Sequence, residues 1–176
     1  WSAVTRVPID PTNSTVDHFI PGIGIDPATS GTGAHIGIHY YYYPKSSCTT
    51  STCQLYVGFI SSANAGATWN DAISLAGPMQ LSWLPNSQNG LMVGDYIATA
   101  FSNGTPYGVF AVASAKSGTK FDEPMFTAQG LTAAQVGPQF SSAADKPLHD
   151  LSDPVEFDHP EKGIYPPLRA NKSAKK

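Results

Sequence analysis

The sequence predicts an all-β fold: antiparallel strands in units of about four, then an extended C-terminal tail. Three observations point there. Gly (16) and Pro (15) are abundant while charged residues make up only 13% of the 176, a balance that favours short strands and turns over helices. Period-two alternation recurs along the first two thirds, and helical periodicity is confined to a weak trace at Thr132 to Val136. A hydrophobic content of 41%, with 11% aromatic residues, suffices to fill a core.

The elements follow in order. Phe19 to Asp26 is a short apolar run closed by Pro27 and the turn cluster Ser30-Gly31-Thr32-Gly33. Ala34 to Tyr43 alternates, with His35, Gly37, His39 and Tyr41 on one side and Ile36, Ile38, Tyr40 and Tyr42 on the other. Gln54 to Ser61 is the third strand, with Leu55, Val57 and Phe59 facing one way, and Ala72 to Leu75 is a shorter fourth. A connection through Pro78, Trp83, Leu84 and Pro85 leads to a second set: Leu91 to Phe101, a Ser102-Asn103-Gly104 turn, Pro106 to Ser114, and Glu123 to Thr127. Four-stranded units suit a propeller blade and equally an immunoglobulin-like sandwich.

Bulk properties bound the partners. The formal net charge of -3 supplies no basic footprint for nucleic acid or an anionic membrane. No apolar run approaches the roughly 18 to 20 residues that cross a bilayer. The first residue is Trp1 and no charged-then-apolar leader opens the chain, so a processed or partial product is expected, with any export signal lost upstream. Cys48 and Cys53 flank a small polar loop between two strand-like runs. A hairpin-tip disulfide is the expected role, and with it a secreted, cell-surface or periplasmic location.

Ser62-Ala63-Asn64-Ala65-Gly66-Ala67-Thr68-Trp69 follows the third strand. It resembles the Asp box, the Ser-x-Asp-x-Gly-x-Thr-Trp hairpin of sialidase-like (BNR-repeat) β-propellers, with Asn64 in the usual Asp position. A short polar side chain bonds back to turn amides, Gly66 supplies a positive φ, and Trp69 packs between strands. Phe19 to Pro27 resembles the first strand of such a blade, and Val93-Gly94-Asp95-Tyr96-Ile97 resembles the opening strand of the next.

The resemblance implies a partial propeller of about two blades. Residues 1–9 would end a preceding blade, 10–76 carry the box, 77–127 form a further blade, and 128–176 are a Pro-rich charged tail. Trp1 to Val7 lines up with Trp69 to Leu75, so the chain is expected to begin inside a blade. Ser114-x-Lys116-x-Gly118-x-x-Phe121 is either a degenerate second box or a plain hairpin loop.

A sialidase site needs three arginines on the substrate carboxylate, a tyrosine nucleophile with its glutamate, and an aspartic acid/base. The chain has only Arg6 and Arg169, and every glutamate lies at or beyond Glu123. No catalytic residue, metal ligand or cofactor is therefore assigned. The alternative is a fragment of a secreted sialidase-type glycoside hydrolase whose catalytic residues lie mostly elsewhere. His35 and His39 share a strand face but stand about 13 Å apart, too far for one ion. Alternation sends two of Tyr40 to Tyr43 to each face, which favours packing over one sugar platform. Asp17, His18, Asp95 and Tyr96 open blade strands, where capping or turn bonding is the commoner role and facing a ligand the alternative, with carbohydrate as the candidate class. Asn-x-Ser/Thr sequons start at Asn13, Asn103 and Asn171. The tail has the makeup of a segment that holds a shape only against other blades or a partner subunit.

Overall fold

A computed structural model describes residues 3–45, 47–128, 130, 131 and 133. Trp1, Arg169, the sequon at Asn171 and nearly all of the tail lie outside the described residues. The fold is all-β and antiparallel. Strands β1 (Asp17–Ile25), β2 (Ile36–Tyr43), β3 (Gln54–Ser62) and β4 (Ile73–Gln80) form a meander in the order β1-β2-β3-β4. The short hairpin β5 (Asn86–Ser87) and β6 (Gly90–Leu91) follows. Strands β7 (Ala98–Ser102), β8 (Thr105–Ala111) and β11 (Met125–Thr127) make a second sheet in the order β11-β8-β7. Between them, β9 (Ser114–Ser117) and β10 (Lys120–Asp122) form a separate hairpin.

The alternation expected in β2 is observed. Ile23 pairs with Ile38 and Ile38 with Ile60, so these share one face of the first sheet. Gly22 pairs with His39 and His39 with Phe59 on the other face. That second face meets the second sheet, and the core lies between them: Tyr41, Leu55, Val57, Phe59, Met79, Leu84 and Phe110 are buried there. In β1 the pairing slips by one residue between Phe19 and Gly22, a β-bulge in which Ile20 has φ 48°.

Two expectations need correction. β4 does not stop at Leu75 but runs to Gln80, with Pro78 inside it. It is an edge strand, where a missing N–H removes no ladder bond. Leu91 to Phe101 is not one strand: after β6 the backbone is irregular until Ala98. Gly94 has φ 131°, which interrupts extended pairing, while Val93 and Ile97 turn into the core. Trp83 packs against that core and Leu84 is buried in it. The Ser114–Phe121 echo is a hairpin whose turn includes Gly118 at φ 64°, with the Lys116 ammonium 3.8 Å from the centre of the Phe121 ring.

Cys48 and Cys53 are bridged at the β2–β3 tip, with their Cα atoms 4.9 Å apart. Beyond β11, Ala128, Leu131 and Ala133 are buried. The Ala133 carbonyl accepts bonds from Ser61 Oγ (3.0 Å) and Asn70 Nδ2 (2.6 Å). The first residues after the second sheet therefore reach back to the first.

Candidate functional site

The seam between the sheets positions everything else. A Cβ built on Gly22 would stand 2.3 Å from the carbonyl oxygen of Ile97, and one on Gly24 would stand 2.6 Å from that of Thr99. Equal steps along both chains mean that β1 and β7 run side by side in the same direction at backbone contact. Glycine is the residue that permits this.

His39 sits in the seam, fully buried. Thr99 Oγ1 donates its one proton to the Gly22 carbonyl at 2.6 Å, so its 2.8 Å contact to His39 Nδ1 has the imidazole as donor. Among the described residues His39 Nε2 faces no hydrogen-bond partner. Its ring lies against Phe59, Phe110 and the backbone of Gly108. Burial holds the imidazole neutral, lowering its pKa to about 3. Glu123 Oε1 is likewise buried without a partner among the described residues, and burial raises that carboxyl to about 8.

These two groups set opposite limbs of the stability profile. The His39 contribution is complete above its ordinary value near 6.5 and is lost as pH falls toward 3. The Glu123 contribution is complete below its ordinary value near 4.5 and is lost as pH rises through 8. Their slopes oppose each other between about pH 4.5 and 6.5, so stability is expected to form a plateau there. Outside it each limb approaches about 1.4 kcal/mol per pH unit. Urea midpoints measured at pH 3.5, 5.5 and 8 check the profile, and Glu123→Gln is expected to abolish the alkaline limb and the plateau, so that the rise from acid pH continues to about 6.5.

The Ser62–Trp69 hairpin closes as its residue types suggest. Ser62 Oγ accepts from Gly66 N–H at 2.9 Å and donates to Asn64 Oδ1 at 3.0 Å. Asn64 Oδ1 accepts from Thr68 N–H at 2.8 Å, and its Nδ2 donates to Thr68 Oγ1 at 2.7 Å. Gly66 has φ 82°, and the Trp69 ring lies over it and packs toward Ile38, Tyr40 and Ile60. The hairpin is a structural staple. Asn64→Ala is expected to cost about 1 to 2 kcal/mol, because the Thr68 amide and the Ser62 hydroxyl lose their acceptor. Asn64→Asp keeps both acceptor roles while the Thr68 hydroxyl reverses to donate, and is expected to stay within about 0.5 kcal/mol. Urea denaturation of the two variants checks the contrast.

The four candidate ligand-facing residues separate. Asp17 opens β1 opposite Tyr43 and is exposed, while Asp95 and Tyr96 are exposed just before Ile97. Since β1 and β7 run in parallel, these three lie toward one end of the seam. Tyr96 is 81% exposed, an unusual display for so large a ring. His18 turns to the other face of the first sheet, edge-on to Tyr40 (5.4 Å) and stacked with Tyr42 (6.3 Å).

On that face the N-terminal segment crosses the sheet and leaves two adjoining cavities. One of about 360 Å³ is lined by Val7, Ile9, Phe19, Ile23, Ile38 and Tyr40 among others. The other, about 180 Å³, adds Asp10 and Tyr42. Hydrogen bonding from Ser14, with the charges of His18 and Arg6, lowers the Asp10 pKa. Burial foremost, then Tyr42 and Asp10, raises that of Tyr40.

Sequence reasoning missed the seam. Its available signal was Gly22-x-Gly24 inside a strand, which marks close backbone approach. His35 lies outside β2, with its Nδ1 3.7 Å from Asp26 Oδ2. Among the described residues no cluster of three His, Cys, Asp or Glu side chains is placed to hold a metal, and no helix is long and apolar enough to cross a membrane. Compared with protein-family models, curated proteins and solved structures, the chain matches none.

Proposed function

We propose that this chain is part of an extracellular Asp-box β-propeller and serves as a binding or structural module rather than as an enzyme in its own right. The observation that carries the reading is the wedge-shaped seam. Inner strands β1 and β7 touch through glycine, whereas bulky Tyr41, Phe59, Met79 and Phe110 fill the space farther out. Adjacent blades diverge in this way from a common axis, while sandwich sheets keep a nearly constant spacing of about 10 Å.

The repeat supports it too. Val7, which aligns with Leu75, packs beside Ile38 and Tyr40 as Leu75 packs in the core between the two sheets. The bridged Cys48–Cys53 suits an oxidising compartment. In the hydrolase alternative the catalytic residues lie mostly outside this chain, and Arg6 is paired with Asp10.

Ligand contact belongs at the seam end that displays Asp17, Asp95 and Tyr96. Carboxylates accept sugar hydroxyls and an exposed tyrosine offers a stacking face, so carbohydrate is the class expected. Two experiments test the reading. Electron-microscopy averages of the natural full-length product are expected to show radial sheets around a channel, and a two-layer sandwich overturns the propeller. A glycan array probed with this chain and with Tyr96→Ala is expected to lose its signals in the variant; signals that survive place binding elsewhere.

A further inference from the structure

Both outer faces of the two-sheet stack carry exposed apolar side chains beside the seam, and on the first sheet Ile38, Tyr40 and Ile60 are already covered by Val7, Ile9 and Trp69. On the first sheet Ile23 and Ile25 are 63% and 59% exposed. On the second, Val109 and Met125 are 47% and 44% exposed. We infer that these two faces dock onto each other between copies of this chain, head to tail.

The reason lies in the seam already formed inside the molecule, which has two unlike halves. One is an inner strand with small residues at alternate positions, Gly22 and Gly24. The other is an inner strand presenting larger side chains, Ile97 and Thr99, toward them. The open faces repeat those halves. On the outside of the second sheet Ala98 and Ala100 are the alternate small residues of β7, with Val109 and Tyr107 directly opposite them on β8. On the outside of the first sheet Ile23 and Ile25 are the larger side chains of β1, opposite Ile38 and Ile36. Each face thus matches the other rather than itself, so the contact is heterologous and continues the internal stack. The 360 Å³ cavity beside Ile23 is space that such a partner enters.

The inference rests on the blade reading above. With two sheets per copy and about four to eight blades in a closed ring, two to four copies would complete one.

The test uses the chain as it stands, in sedimentation experiments from 1 to 200 µM with Ile23→Lys and Val109→Lys alongside. Both positions are exposed, and circular dichroism verifies that the variants fold. The wild type is expected to at least double its mass over the range, and each variant alone to remain monomeric. An equimolar mixture of the two variants is expected to form dimers and nothing larger, because each retains one intact face. A monomeric wild type, a variant that still assembles, or a mixture that fails to pair overturns head-to-tail docking. A monomeric wild type leaves the propeller reading standing, since further blades of one polypeptide can cover the same faces. A sandwich seen by microscopy overturns that reading separately.

Discussion

Gly22→Ala is expected to destabilise the fold by about 3 kcal/mol, at the upper end of what overpacking a core costs. The new methyl would stand 2.3 Å from the Ile97 carbonyl oxygen and 2.7 Å from its carbon. Those are backbone atoms next to Ala98, which is held in register with Val109 on β8. β7 cannot retreat without opening that ladder, and β1 cannot retreat without parting from β2. Against a total stability of about 5 to 15 kcal/mol, the loss is easily seen in a urea titration. Gly33→Ala is the control: apart from its own local backbone no atom lies within 4 Å of its Cβ position, and it is expected to stay within about 0.5 kcal/mol. Equal midpoints for the two variants would show that the strands are not in backbone contact.

Tyr41→Phe is expected to cost about 2 to 4 kcal/mol although it removes a single oxygen. The Tyr41 hydroxyl donates to the Ala111 carbonyl at 3.0 Å and accepts from the Ala111 N–H at 2.9 Å. Strand β7 begins at Ala98, opposite Val109, and so does not reach Ala111. The phenol takes the place of the missing strand partner. Phenylalanine leaves no cavity, so the expected loss is that of two buried backbone groups left unsatisfied. Hydrogen exchange reads this at one site: protection of the Ala111 amide should collapse in the variant while that of Ile60 is retained relative to global stability. Unchanged protection at Ala111 would sink the assignment.

The first sheet was the most legible part of the sequence, because alternation in β2 and β3 is set by which side chains meet water. The box was legible for a similar reason: the side-chain bonds that close it are local, between residues no more than four apart. The limits of β4 and β7 were not. Pro78 reads as a breaker until the strand is known to be an edge, and Leu91 to Phe101 reads as continuous until Gly94 is known to adopt φ 131°. Both are tertiary facts. The seam was hidden differently: glycines carry no hydropathy signal, and their partner strand lies some 75 positions away. Among the four candidate residues, the sequence could not tell that His18 turns to the other face of the first sheet, against Tyr40 and Tyr42.

The bulge at Ile20 and Pro21 acts as a frame shift. Phe19 faces the second sheet, stacked with Tyr41. Strict alternation from Phe19 would carry Ile23 and Ile25 to that side and send Gly22 and Gly24 outward. The one extra residue reverses the parity, so glycines meet β7 and isoleucines face away. Deleting Ile20 would leave Pro21 alone opposite Tyr40 and keep the glycines toward β7, whereas straightening the strand with every residue retained would turn Ile23 and Ile25 into the seam. A regular β1 is therefore compatible with the seam only when one residue is lost from it.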